Sequence, residues 1–171
     1  MNTRSIYFLF ALLLSVNCQT GGQLDKSPDT FLQSADEILY DSTIDDPDYR
    51  VCGNYIYQYF NDGGGLIYEG EKHALIETFE DQYVPPENAQ DSGLVRIRFV
   101  VNCQGKSGRF RILTGNNYQA ANLSTSITDQ LLSITKMLDG WKVKQLNGKT
   151  IDYYQYLIFK IEAGKIVEIL P

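Results

Sequence analysis

The sequence predicts an α+β domain in which an antiparallel sheet carries a helix packed on one face, in the order strand, strand, helix, strand (ββαβ). Three stretches carry that prediction. In residues 92–115, Val95, Ile97, Phe99 and Val101 alternate with Leu94, Arg96, Arg98 and Val100, the period of a strand with one buried face. In residues 127–138, Ile127, Leu131, Ile134 and Leu138 fall at i, i+4, i+7 and i+11, one apolar stripe on a helix. In residues 151–161, Ile151, Tyr153, Leu157, Phe159 and Ile161 share one strand face while Tyr154, Tyr156 and Ile158 share the other. Strands that enclose a helix in this order pack it on an antiparallel sheet.

The chain of 171 residues suffices for one ordinary domain and a shorter appendage. Hydrophobic residues at 43% place it among folded proteins rather than disordered ones. At the start, residues 1–4 are basic and residues 6–16 form an apolar run too short to span a bilayer, which reads as an export signal. Cys18 follows directly, as in a bacterial lipoprotein signal with its acylated cysteine. Ordinary cleavage nearby, with no lipid, is the alternative. Either way the chain is expected in the cell envelope, in the periplasm or at the outer membrane.

Residues 19–25 read as a flexible tether. Ser27-Pro28 supplies an N-cap and a first-turn proline for a short helix carrying Phe31, Ala35, Ile38 and Leu39. Residues 41–48 form a loop. The run Tyr55-Ile56-Tyr57-Gln58-Tyr59-Phe60 is a strand or a helix end, which periodicity cannot decide over so few residues. Asn61–Gly65 is a turn or flexible loop. Leu75, Ile76 and Phe79 predict a helix over Glu71–Gln82, stopped by Tyr83-Val84-Pro85-Pro86. In the central hairpin Phe110 and Ile112 alternate with Arg109 and Arg111 after a turn-rich run. Ser126 with Asp129 predicts a capping box for the next helix, Lys136 sits in its last turn, and Gly140 is placed to terminate it. Ala163-Gly164 turns the long strand into a closing one over residues 165–170. The expected organisation is residues 1–18 signal, 19–50 acidic tether and short helix, 51–82 appendage, and 83–171 the α+β domain.

Charge is uneven. The formal net charge is −6, and residues 19–50 hold eight acidic residues against Lys26 and Arg50, so the remainder is nearly neutral. Nucleic acid is therefore not an expected partner. With Cys18 lipidated, Cys52 and Cys103 remain as a pair for a structural disulfide in an oxidising compartment. Closing about 50 residues, such a bridge contributes about 4 kcal/mol in the chain-entropy model. Two buried thiols are the alternative.

Parts for catalysis are few. His73 is the single histidine, so a multi-histidine zinc site is impossible, and it is expected as a solvent-facing helix residue beside Glu77. No GxSxG, GxGxxG or phosphate-loop spacing occurs. Asp45, Asp46 and Asp48 lack the glycine and distal glutamate of an EF-hand. No enzyme activity, cofactor or metal is expected. The surface feature that stands out is Arg96, Arg98, Arg109 and Arg111 on one side of two paired strands, with Tyr154 and Tyr156 placed to stack on them. Two explanations compete: acidic residues of the N-terminal half fold over this face, or the face receives an acidic partner.

The run Tyr83, Pro85 and Pro86, then Gly93-Leu94-Val95-Arg96-Ile97-Arg98-Phe99-Val100-Val101 with Gly105, Phe110-Arg111-Ile112, the helix of residues 127–138, Trp141 and Asn147-Gly148-Lys149 resembles the C-terminal domain of TonB. The resemblance covers about residues 80–162. It implies a domain that adds a partner's extended segment beside its sheet near Tyr83, by β-augmentation. The long proline-rich linker of an energy transducer has no counterpart, so the expectation is a TonB-C-like domain in an envelope lipoprotein. Its expected function is a non-catalytic protein-binding module. The partner is an envelope protein such as an outer-membrane transporter or receptor, met at a sheet edge and at the face of Arg96, Arg98, Arg109, Arg111, Tyr154 and Tyr156. A structural accessory subunit of an envelope assembly is the alternative, and an uncharacterised enzyme a more distant one.

Overall fold

The computed structural model describes residues 37–58, 66–113 and 123–170. The expected signal, Cys18, the tether, Phe31 and Ala35 of the first helix, and the turn Asn61–Gly65 lie outside the described residues. The chain divides into two units, Met1–Glu37 and Ile38–Pro171, and the fold is that of the second.

Its elements are β1 (Ile56–Tyr57), α1 (Glu71–Gln82), β2 (Gly93–Val101), β3 (Ser107–Ile112), α2 (Thr125–Met137), β4 (Lys144–Leu146), β5 (Lys149–Glu162) and β6 (Lys165–Leu170). They form an α+β fold with a six-stranded sheet in the order β1-β5-β2-β3, with β4 and β6 also paired to β5. β2 runs antiparallel to β5 from Gly93 opposite Ile161 to Val101 opposite Tyr153. The turn Asn147-Gly148, with φ of 51° and 75°, joins β4 to β5 in the doubly left-handed geometry that two-residue hairpins favour.

The sheet is mixed, not wholly antiparallel. β1 runs parallel to β5, with Ile56 opposite Asp152 and Tyr57 opposite Tyr153. A parallel neighbour requires a long crossover, and here α1, β2, β3 and α2 all lie within it. Ile38 and Leu39, expected at a helix end, lie in irregular chain, with Ile38 buried and Leu39 exposed.

Both helices share one core with the sheet. Leu75 and Phe79 of α1, Ile127, Leu131 and Ile134 of α2, and Val95, Ile97, Phe99, Tyr153, Leu157 and Phe159 of the strands form one apolar cluster. The Phe79 ring sits edge-on to Phe159 with centroids 4.8 Å apart. The α2 stripe is buried as its spacing predicts, but Ser124 rather than Ser126 is the N-cap, without a side-chain cap bond. Ser124-Thr125-Ser126 offers three capping residues in a row, of which the helix uses the first. Gly140 does not terminate the helix, since Leu138 is the C-cap. Gly140 instead admits Tyr68, whose Cζ would stand 2.8 Å from an added Cβ.

Part of the second face of the sheet, around Val100 and Tyr154, is covered by residues 38–58, largely without regular structure. Ile38 and Tyr49 pack there on Val100 and Tyr154. Val100 and Arg98, whose strand positions point away from the helices, are therefore buried.

Candidate functional site

Three places concentrate polar or concave features: the arginine-bearing face, the junction around Cys52 and Cys103, and a groove beside Tyr83.

On the arginine-bearing face, Arg98 stands directly opposite Arg111 across β2 and β3, and opposite Tyr156 across β2 and β5. Facing like charges destabilise a sheet unless something offsets them. Arg111 donates Nη1 and Nη2 to Asp45 Oδ1 and Oδ2 at 2.6 and 2.8 Å, a two-pronged pair, and Nη2 also reaches the Leu39 carbonyl at 2.8 Å. This bond from Arg111 holds the Asp45 carboxyl below the usual carboxylate range against the opposing effect of burial, and it raises Arg111 in turn. Arg98 lies over the Tyr154 ring, 4.0 Å from its centroid, and donates to Gln58 Oε1 at 2.8 Å.

Arg109 takes a left-handed backbone, φ 55°, where β3 inserts one extra residue against β2, and it donates to the Ile38 carbonyl at 3.3 Å. Arg96 is half-buried opposite Ile158. The Tyr154 hydroxyl accepts the Ile38 N–H at 3.1 Å. Tyr49 donates to the Val100 carbonyl at 2.9 Å and lies flat on Gly108, where any Cβ would stand within 2.4 Å of the ring. Burial pushes the Tyr49 phenol above its ordinary range, and Asp152 adds to the effect. Arg98, Arg109, Arg111 and Tyr154 thus converge on the chain's own 38–58 segment.

At the junction, Cys52 and Cys103 form a disulfide with Cα atoms 6.0 Å apart. Beneath it lies Asp152 of β5, only 1% exposed. Its Oδ2 accepts the N–H groups of Cys52 and Gly53 at 2.8 Å each, and its Oδ1 accepts that of Cys103 at 2.8 Å. The two sulfurs and an Asp152 oxygen lie within 4.8 Å of one another, a spacing that suits a metal ion. The disulfide removes the thiolates such an ion would need. Sequence reasoning missed Asp152, although a carboxylate inside an otherwise apolar and aromatic strand was the available signal.

The third place is a groove of about 380 Å³ between α1 and β6, lined by Ile76, Phe79, Glu80, Tyr83, Pro85 and the run from Lys165 to Ile169. Tyr83, the C-cap of α1, is buried and donates its hydroxyl to the Gly164 carbonyl at 2.7 Å. It belongs to this groove and not to the arginine-bearing face. Burial raises its phenol as well. Among the described residues β6 pairs only with β5, so its outer side has no strand neighbour there. Val167 is the extra residue of a bulge on that strand and is exposed. His73 is exposed on α1, with Nε2 3.2 Å from Glu77 Oε1.

No protein-family model matches the chain, and comparison with curated proteins and with solved structures returns no match.

Proposed function

We propose that the chain is a non-catalytic protein-binding module of the cell envelope, anchored by a lipid on Cys18, that takes an extended segment of a partner along β6 and into the groove beside Tyr83. The observation that carries this reading is the groove itself. An apolar floor from Ile76 and Phe79 lies next to a strand whose outer side has no strand neighbour among the described residues. Strand addition draws affinity from backbone pairing and selectivity from pockets for alternate side chains. The bulge at Val167 splits the edge, so pairing is confined to short runs on either side and the groove contributes much of the selectivity. The position of Tyr83 and Pro85 at this edge fits the resemblance to the TonB C-terminal domain. The arginine-bearing face serves inside the domain in this reading, because Arg98, Arg109 and Arg111 are directed at the 38–58 segment.

Selection of a displayed random-peptide library on the full chain tests the proposal. The expected result is a family of extended peptides with alternating apolar residues. Their addition slows amide exchange in Lys165–Leu170, and Ile76→Arg abolishes their binding while thermal unfolding shows the variant folded. Selected peptides that protect another surface, or no selection at all, would refute it.

A further inference from the structure

We infer that Asp152 is the positioning residue that brings Cys52 and Cys103 together and then guards their bond, so that the disulfide is a staple and not a site of thiol exchange. The three N–H bonds at 2.8 Å come from two loops far apart in sequence and meet on one buried carboxylate. None of them involves a sulfur atom. They therefore persist when the cysteines are reduced and hold the two thiols at bonding separation, which makes closure an intramolecular step with its orientation already set. In that step two thiols give two electrons to a disulfide oxidant such as glutathione disulfide. The Cys52–Cys103 S–S bond forms as the oxidant's S–S bond breaks, and both protons leave on the two glutathione thiols.

Protection of the closed bond is electrostatic and not steric. Cys52 is exposed and Cys103 half-buried, and clefts of about 400 and 530 Å³ open on either side. A reducing thiol can reach the sulfurs, but it attacks as a thiolate and expels a thiolate. The leaving thiolate would lie within 4.8 Å of the Asp152 carboxylate, which raises its energy, and the same charge repels an approaching anionic thiolate. Arg50 and Lys106 line one cleft, and the Arg50 guanidinium is committed to the carbonyls of Pro47 and Tyr49.

Two measurements in a Cys18→Ser background of the full chain test this. In Cys52→Ala/Cys103→Ala, amide exchange at residues 52, 53 and 103 should remain slow, and adding Asp152→Asn should make it fast. In the chain with both cysteines, Asp152→Asn should shift the glutathione equilibrium toward the reduced form by about tenfold and speed reduction. Amides at 52, 53 and 103 that exchange as open loops in the double alanine variant would overturn the positioning role. An unchanged equilibrium and reduction rate in Asp152→Asn would overturn the guarding role.

Discussion

The two faces of the sheet are covered by different physics, the helix side throughout and the other around Val100 and Tyr154. On the helix side, Phe79, Ile127 and Leu131 meet Val95, Ile97, Phe99, Leu157 and Phe159 in nondirectional apolar contact. On the other side the covering segment has little regular structure, so its backbone groups need partners that a helix would supply internally. Side chains of the sheet, and Asn102 just beyond β2, supply them. Tyr154 accepts from Ile38, Asp152 accepts from Cys52 and Gly53, Arg109 and Arg111 donate to the carbonyls of Ile38 and Leu39, and Asn102 donates to that of Arg50 at 2.9 Å. A segment without secondary structure can thus be held by a sheet if the sheet presents polar groups aimed at its main chain. That explains why arginines and tyrosines occupy positions where a solvated face needs neither.

The sharpest way to break this comparison is to truncate each side. Phe159→Ala removes a fully buried ring from the helix side and should cost about 3–5 kcal/mol in urea unfolding. A cost near that of a surface substitution would refute the packing account. Asp45→Asn on the opposite side should cost about 2 kcal/mol at neutral pH, the range for a hydrogen bond to a charged group. Its pH dependence is specific. Because Arg111 depresses the folded-state pKa of Asp45, the stabilisation is complete above the ordinary carboxylate pKa of about 4 and is lost as pH falls through the lower folded value. The difference in Tm between the two proteins should therefore be constant from about pH 7 to 5 and shrink below about 4. Tyr49→Phe should cost the least, about 1 kcal/mol, by leaving the Val100 carbonyl without its donor while the ring still covers Gly108. The raised folded pKa of Tyr49 makes its neutral form stabilising below the ordinary phenol value of about 10 and costly above it. Alkaline loss of stability should accordingly be smaller in the variant, measured by urea midpoints from about pH 8 to 11.

The helix-covered face was legible in the sequence because its elements have a period. The stripe Ile127, Leu131, Ile134, the alternation from Val95 to Val101 and the two faces of β5 each repeat often enough to fix the element and its buried side. The polar face was half legible. Arg96, Arg98, Arg109 and Arg111 stood out, but whether they met solvent, a partner or the chain itself depended on a cover with no period to read. Burial of Val100 and Arg98 follows from that cover alone. β1, at two residues, is too short for any pattern, and its parallel pairing is set by tertiary context. Asp152 carried a local sign, a carboxylate within a strand run, but its donors, like the Arg111 partner of Asp45, come from far along the chain and no local pattern names them.

β5 pairs with β1, β2, β4 and β6, so the sheet has no centre until this strand has been made. The N–H of Cys52 finds its acceptor 100 residues further along the chain. Assembly is consequently dominated by distant pairings, a topology that folds slowly because loop-closure entropy is spent before the contacts form. Until β5 is available, β2 lacks its partner on the inner edge and the 38–58 segment lacks the Tyr154 and Asp152 groups that hold it. The late arrival of one strand thus sets the interval during which the nascent chain is open to misassembly.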